Sequence, residues 1–239
     1  MKTVMKPLTE DQFISELIKH QSEAEYQKIR RYFKGNDSDN KVIGVRMKTT
    51  FDLAKESVEM PLEEISKLLE SPYYEARMGA LSIMDFQVRP SHVSEEYREA
   101  RFELYLNRHD RINNWDFVDR AAPRVIGSYL YDYEMPRDLL YDLAASHNPW
   151  ERRTAIVSTA WFIKKGELED TCKIAEQLLN DEHEYVQKAI GTWLRHTGKQ
   201  DEKRLLDFLE KNVSKMDRST LTTAMEKLDK KQKVYFRNK

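Results

Sequence analysis

Residues 148–166 read NPWERRTAIVSTAWFIKKG, and this stretch decides the fold class. Its apolar residues recur at spacings of three and four, which is the period of a helix with one buried side. Similar segments run from the N-terminal TEDQFISELIKH to the C-terminal DEKRLLDFLEKN. Strand signals are nearly absent, since neither a long apolar–polar alternation nor an Asn-Gly hairpin turn occurs. We therefore predict an all-α chain of about twelve short helices joined by short loops.

The starts of several helices can be read directly. Thr9 stands at an N-cap position with Gln12 three residues later, which is the spacing of a capping box. Pro61 falls where the first residue of a helix is expected. Asn113 or Asn114 can cap a helix that begins at Trp115.

Aromatic residues begin some of these helices at a fixed interval. Trp115, Trp150 and Tyr185 are 35 residues apart, and a similar unit begins at Tyr74, 41 residues before Trp115. Shorter and more polar helices lie between them. This period is typical of two-helix repeats, in which one pair cannot bury its apolar side alone, so that neighbours stack into a curved solenoid. We expect the helices that begin at these aromatic residues to line one shared face.

Composition sets limits on function. Lys and Arg total 40 against 41 Asp and Glu, for a net charge of −1, so a site for a polyanion must be a local basic face. No apolar run is long enough for a transmembrane helix, and residues 1–19 lack the apolar core of a signal peptide. Cys172 is the only cysteine, which fits a reducing cytoplasm and a packing role for its thiol. Metal-site and nucleotide-binding motifs are absent, so neither a metal nor a cofactor is expected.

The repeat period brings charged residues beside the aromatic ones. Trp115 and Asp119 lie one helical turn apart, and Arg153 and Lys188 each follow their aromatic residue by three positions. Neighbouring helices pack roughly 10 Å apart, so these side chains can converge on one surface. Packing rings and a structural ion pair are one interpretation. A mixed site is the other, in which the ring attracts a cation and the carboxylate stabilises a developing positive charge.

Pro123 adds a helix break next to Asp119. A proline has no amide hydrogen and crowds the carbonyl four residues before it, which here belongs to Asp119. The helix should therefore kink or end at this point and leave Asp119 accessible. A straight helix from Asp119 to Ile126 with a fully buried Asp119 would contradict this hypothesis.

Three blocks, NNWDFVDRAAPRVIGSYL, NPWERRTAIVSTAWFIKKG and DEHEYVQKAIGTWLRHTGK, together resemble the AlkD-like bacterial DNA alkylation repair proteins, which are HEAT-like repeat alkylpurine DNA glycosylases. The likeness runs from about residue 42 to the C-terminus. It implies a right-handed α–α superhelix, with capping helices in residues 1–40 and repeats in residues 41–239 of a single domain. It also implies metal-free and cofactor-free excision of cationic bases, of the 3-methyladenine and 7-methylguanine type, from duplex DNA by a cytoplasmic monomer.

The resemblance also implies roles for individual residues. Trp115 corresponds to a residue that contacts the sugar of the damaged nucleotide. Asp119 corresponds to the carboxylate that stabilises an oxocarbenium-like sugar and positions water. Arg153 corresponds to an arginine that holds a backbone phosphate and orients the site.

Two departures from the family pattern stand out, together with a set of candidate DNA contacts. Thr192 occupies the position of the family's second site tryptophan, and Trp193 lies one residue, or about 100° of helix rotation, further on. Asp52 stands near a position where a basic residue is expected. The candidate DNA-binding residues are Lys48, Arg152, Lys188, Thr192, Trp193 and Arg195.

Three functions fit the sequence. A glycosylase should release alkylated purines and depend on Asp119. A DNA-structure-binding repeat protein should bind DNA in a salt-dependent way without excising a base, because phosphate contacts release counterions. A solenoid that binds other proteins should show no such binding.

Overall fold

The computed structural model describes residues 8–31, 33 and 40–239, and these residues are helical without a strand. The predicted all-α class is confirmed. Sixteen α-helices lie in the described residues, more than the twelve expected, in part because two long amphipathic segments are each divided. The helices are α1 Glu10–Lys19, α2 Glu23–Arg30, α3 Met47–Glu56, α4 Leu62–Glu70, α5 Tyr74–Gln87, α6 Glu95–Asn107, α7 Trp115–Ala122, α8 Ser128–Asp132, α9 Asp138–Ala144, α10 Pro149–Ser158, α11 Ala160–Lys164, α12 Glu169–Gln177, α13 Glu184–Gln200, α14 Glu202–Asn212, α15 Arg218–Ala224 and α16 Lys230–Arg237.

The chain divides into two compact units at the bond between Asn113 and Asn114. The first unit holds α1 to α6, and the second holds α7 to α16. The predicted boundary between a capping segment, residues 1–40, and the repeats stays a prediction, as does the single domain over residues 1–239. Part of that capping segment, residues 1–7, 32 and 34–39, lies outside the described residues.

Helix starts agree with the sequence to within one residue. The Thr9 hydroxyl accepts a hydrogen bond from the backbone amide of Gln12 at 3.3 Å, as predicted. The Gln12 side chain accepts from the amide of Leu8 at 3.0 Å rather than from Thr9, so the capping box is not reciprocal. Pro61 is the N-cap of α4 rather than its first residue.

In the first unit, α5 carries charged groups into the interior. Glu75 is fully buried, and its carboxylate accepts hydrogen bonds from the backbone amides of Ile43, Gly44 and Val45 at 3.0, 2.8 and 3.2 Å. The loop that supplies these amides turns at Gly44, whose φ of +98° suits glycine. Tyr74, which begins α5, is buried. Its ring packs edge-on against Phe33 at 5.0 Å, where it contributes to the core.

In the second unit, α10 lies between two other helices that begin with an aromatic residue. It packs against α7 on one side and α13 on the other, while α9 and α12 also contact it. A Cβ on Gly127 would lie 2.1 Å from the carbonyl oxygen of Ser158, so the glycine permits close approach of the chain after α7 to the end of α10. This packing sets the helices that begin at Trp115, Trp150 and Tyr185 side by side.

Candidate functional site

The site begins at the first turn of α7. Asn114 is the N-cap, and its side chain accepts a hydrogen bond from the amide of Trp115 at 2.7 Å. Of the two asparagines considered, Asn114 is therefore the one that caps the helix. Trp115 is half-buried, and the side chain of Asp119, one turn later, is 38% exposed.

The helix changes its register at Pro123. The α-helical hydrogen bonding ends at Ala122, and residues Pro123–Gly127 form a π-helix in which the amide of Ser128 donates to the carbonyl of Pro123. In a π-helix each amide donates to the carbonyl five residues before it. The amide of the residue after a proline can therefore donate to the carbonyl that the proline itself, which has no amide hydrogen, cannot bond. The predicted break at Pro123 thus takes the form of one wide turn, and Asp119 is not buried. The link between the break and the exposure of Asp119 stays a hypothesis.

Arg153, on α10, binds the Asp119 carboxylate through two of its nitrogens. Its Nη2 lies 2.8 Å from each carboxylate oxygen, and its Nε lies 3.1 Å from Oδ1. Its Nη1 donates to the backbone carbonyl of Tyr185, so one guanidinium joins α7, α10 and the start of α13. The Arg153 side chain is only 7% exposed, which fixes the direction of the carboxylate. Oδ2 accepts a single bond from Arg153 whereas Oδ1 accepts two, so Oδ2 keeps more capacity for another donor.

Two opposing effects act on the charge of Asp119. Loss of water around the carboxyl group raises its pKa above the ordinary aspartate value, and the positive charge and hydrogen bonds of Arg153 act in the other direction. The net direction is upward. The carboxylate is therefore a stronger base than an exposed aspartate, and Arg153 favours its ionised form.

Aromatic rings from all three repeats meet beside this pair. The Trp115 and Tyr185 rings lie with their centroids 6.3 Å apart and their planes at 20°, and the Trp150 and Tyr185 centroids are 5.9 Å apart. The Arg153 guanidinium lies over the Trp115 ring at 5.9 Å. The 35-residue period thus reflects a real contact in this unit. Tyr185 was not among the predicted site residues, although its place in the period was the signal that could have identified it.

Three of the predicted DNA-binding cations are already paired. The Arg152 guanidinium lies 3.1 Å from Asp181 and also donates to the carbonyls of residues 146 and 147. Lys188 lies 3.0 Å from Glu184, with its ammonium also 4.8 Å from the centroid of the Tyr185 ring, and Arg195 pairs with Glu226. Lys188 is the most exposed of the three, because 60% of its side chain is accessible. DNA contacts by these residues stay predictions.

The remaining predicted residues fall into two places. Thr192 follows Tyr185 by seven residues, or about two turns, so both lie on one side of α13. Trp193 points about 100° away, and its ring packs against His196 at 5.1 Å. Lys48, in the first unit, lies 2.5 Å from Asp52 and lowers the pKa of that carboxyl, so the unexpected acid has a cation beside it.

Metal sites and membrane-spanning helices are two further features of interest in the described part of the chain. It contains no group of three or more His, Cys, Asp or Glu side chains placed to hold a metal ion. None of its helices is long and apolar enough to span a membrane.

A family model and two solved structures are similar to this chain. A family model described as DNA alkylation repair enzyme matches residues 13–228. A predicted DNA alkylation repair enzyme from Enterococcus faecalis is similar in structure, with a TM-score of 0.67, 20% identity and coverage of 88% of this chain and 98% of the other. AlkD2 from Streptococcus mutans is similar with a TM-score of 0.53, 18% identity and coverage of 92% and 100%. No curated protein sequence matches this chain.

Proposed function

This chain belongs to the DNA alkylation repair enzyme family, and we propose that it is a glycosylase that removes cationic alkylated purines from duplex DNA. Membership gives it a role in the repair of alkylated DNA. The proposal is narrower, because it names the N-glycosidic bond as the bond that is broken and bases of the 3-methyladenine and 7-methylguanine type as the leaving groups. Neither a metal nor a cofactor takes part in it.

The observation that carries the proposal is a carboxylate that is held firmly but not covered. Arg153 fixes the direction of Asp119 through two nitrogens, yet 38% of the Asp119 side chain remains exposed. A negative charge that is oriented before the reaction stabilises a developing positive charge without first having to reorganise. A structural ion pair has no need of such exposure.

The reaction that suits this arrangement is hydrolysis. The bond between the sugar C1′ and the base nitrogen breaks, and its electron pair goes to the cationic base, which leaves as a neutral molecule. Asp119 stabilises the positive charge that develops on the sugar, and water adds to C1′ and gives up a proton. Oδ2 of Asp119, which Arg153 engages only once, is the acceptor for that water.

Trp115 and Tyr185 form the wall beside the carboxylate. Their rings are close to parallel and border the Asp119–Arg153 pair, with Arg153 over the Trp115 ring at 5.9 Å. An aromatic face attracts cations and packs against the apolar side of a sugar. We assign to this wall the positioning of the damaged nucleotide, and to Asp119 the electrostatic step.

The test is release of 7-methylguanine from methylated duplex DNA under single-turnover conditions. Asp119→Asn keeps the size of the side chain but removes its charge, and we expect release to fall by about 100-fold or more. Asp142→Asn is the matched control, because Asp142 is an exposed aspartate of α9 and should leave the rate unchanged.

Each outcome decides between the proposed functions. Release by the wild-type protein no faster than the spontaneous loss of base would sink the glycosylase proposal. Salt-dependent DNA binding without release would support the non-excising DNA-binding protein instead. Equal rates for wild type and Asp119→Asn would remove Asp119 from the mechanism while leaving the activity in place.

A further inference from the structure

A second cluster of cations and one aromatic ring lies in the same unit as Asp119. From residue 153 to residue 163, along α10 and α11, only Ala160 and Trp161 are not buried. Along α7 and the π-helix, residues 117, 118, 121, 122 and 125–127 are buried, whereas Asp119 and Arg124 are not. Trp161, on α11, and Arg124, on the π-helix, are therefore only partly buried, and their segments closely follow α10 and α7, which carry Arg153 and Asp119.

Three cations lie close to the Trp161 ring. The distances to its centroid are 5.3 Å from the Arg124 guanidinium, 4.7 Å from the Lys164 ammonium and 5.6 Å from the Lys165 ammonium. The indole N–H donates to Asp132 at 3.2 Å, which fixes the orientation of the ring. We call Arg124, Trp161, Lys164 and Lys165 the tryptophan patch.

The two lysines of the patch differ from two exposed lysines of the same unit, Lys173 and Lys203, in their contacts. Lys173 and Lys203 each pair with a carboxylate four residues away on their own helix. Lys164 and Lys165 form no ion pair with a carboxylate within the described residues, and the contacts of their ammonium groups are with aromatic rings. The patch thus has a local excess of positive charge on a chain whose net charge is −1.

We propose that the tryptophan patch, which lies in the same unit as Asp119, binds the sugar–phosphate backbone of duplex DNA. This inference rests on the proposed function, since it takes DNA as the partner and adds a binding site that the reaction itself does not require. Two ammonium groups without carboxylate partners suit phosphate oxygens, and binding releases the counterions that the phosphates hold. The Trp161 ring, which lies within 6 Å of both ammonium groups, offers an apolar surface to a deoxyribose.

The arrangement favours the backbone over a stacked base. Cations lie within 6 Å of the ring centroid, so a base that stacked on Trp161 would have to displace them. Phosphates, in contrast, would meet those cations without rearrangement. The patch should therefore recognise neither the base sequence nor the damaged base, and it should increase the affinity of the protein for any DNA duplex.

The test compares two double variants of the full-length protein. Lys164→Gln with Lys165→Gln removes two charges from the patch. Lys173→Gln with Lys203→Gln removes the same net charge from α12 and α14, where both lysines are exposed. Affinity for an undamaged duplex is measured over a range of salt concentrations, and release of 7-methylguanine is measured at saturating protein.

We expect the patch variant alone to change the salt dependence. Two lost phosphate contacts should make the slope of log affinity against log salt shallower by roughly 1.8, since each contact contributes about 0.9. Affinity at low salt should fall by tenfold or more, while single-turnover release at saturating protein stays at the wild-type rate. The control variant should keep the wild-type slope.

Several results would overturn the inference. They are an unchanged slope in the patch variant, an equal change in both variants, and a wild-type protein that binds no duplex. If the salt slope depends on the patch but the protein releases no base, the proposed DNA-binding role of the patch stands and only the proposed glycosylase activity is rejected. A loss of release at saturating protein would place these lysines in the chemical step and contradict a role in backbone binding.

Discussion

Two arginines hold the same place in the repeat and meet different partners. Arg77 follows Tyr74 by three residues, and Arg153 follows Trp150 by three. Arg77 is fully buried and donates to the carbonyl of Arg111 and to the side-chain oxygen of Asn113, each at 3.1 Å. Arg153 instead binds a carboxylate that is 38% exposed. The repeat places an arginine at the same position in both units. Its hydrogen-bond partner determines whether the arginine stabilises the fold or orients a reactive carboxylate.

The two carboxylates differ in the same way. Glu75 is fully buried, and three backbone amides use its oxygens. Within the described residues, the side-chain hydrogen bonds to the Asp119 carboxylate come from Arg153. A charged group whose bonds are all made inside the protein stabilises a fold, whereas one with remaining capacity at the surface can act on another molecule.

The largest expected effect is on stability in the first unit. Arg77→Met would leave the Arg111 carbonyl and the Asn113 side chain without this donor, and buried groups that lose a partner cost about 1–3 kcal/mol each. We therefore expect a loss of roughly 2–5 kcal/mol in the free energy of unfolding. Arg153→Met should cost less, because water can reach Asp119. Urea unfolding of the two variants measures the difference, and equal losses would break the comparison.

A smaller loss is expected when the charge of Glu75 is removed. Glu75→Gln replaces one acceptor oxygen by an NH₂ group that faces backbone amides, and we expect a loss of about 2 kcal/mol. Glu63→Gln is the control, because 81% of the Glu63 side chain is exposed, and it should change stability by less than about 0.5 kcal/mol. Thermal or urea unfolding gives both values. No difference between them would mean that the amide cluster does not need a charge.

The pH dependence of base release tests the site in the second unit. The proposed reaction needs ionised Asp119, whose pKa burial raises, so release should fall on acidification at a higher pH than for an ordinary aspartate. Arg153→Gln removes the positive charge that lowers this pKa, and the midpoint should move to still higher pH. Arg152→Gln, which loses the Asp181 pair instead, should leave the midpoint in place. A midpoint that ignores Arg153 would contradict the assigned role of that residue.

The smallest expected effect is that of Asp119→Asn on stability. Because the pKa of Asp119 is raised in the folded protein, the folded state binds its proton more tightly, and stability from this group falls as pH rises through that window. At neutral pH the substitution removes this cost and also weakens the bond to Arg153. We expect the net change in unfolding free energy to stay within about 1 kcal/mol, as measured by urea unfolding. A loss as large as that of Arg77→Met would make Asp119 a structural residue.

Much of the local structure could be predicted from the sequence. The cap at Thr9, the cap at Asn114 and the break at Pro123 follow from short-range chemistry, since each depends on residues within a few positions. The 35-residue period also indicated that Trp115, Trp150 and Tyr185 meet, because equivalent positions of stacked repeats are neighbours. Tyr74 differs from these three residues, since its ring is buried in the core of the first unit. A repeat period does not distinguish an exposed ring from a buried one.

The pairing of charges could not be predicted in the same way. Arg152 and Arg153 are adjacent in the sequence, yet one binds the nearly buried Asp181 and the other binds Asp119, whose side chain is partly exposed. The two partners lie 29 and 34 residues away, in opposite directions along the chain. Only the helix that carries both arginines, packed between α7 and α13, decides which acid each one reaches.

The sequence by itself determined the helices, their caps, the repeat and the family, because these depend on residue type, spacing and order. Tertiary packing determines which charged side chains form all their hydrogen bonds inside the protein and which face the solvent. Exposure is a property of neighbours that are distant in the chain, and a single sequence does not record it. Glu75 and Asp119 are acids on the aromatic-led helices of two different repeats. Packing buries Glu75, where it stabilises the fold, and leaves Asp119 partly exposed and open to chemistry.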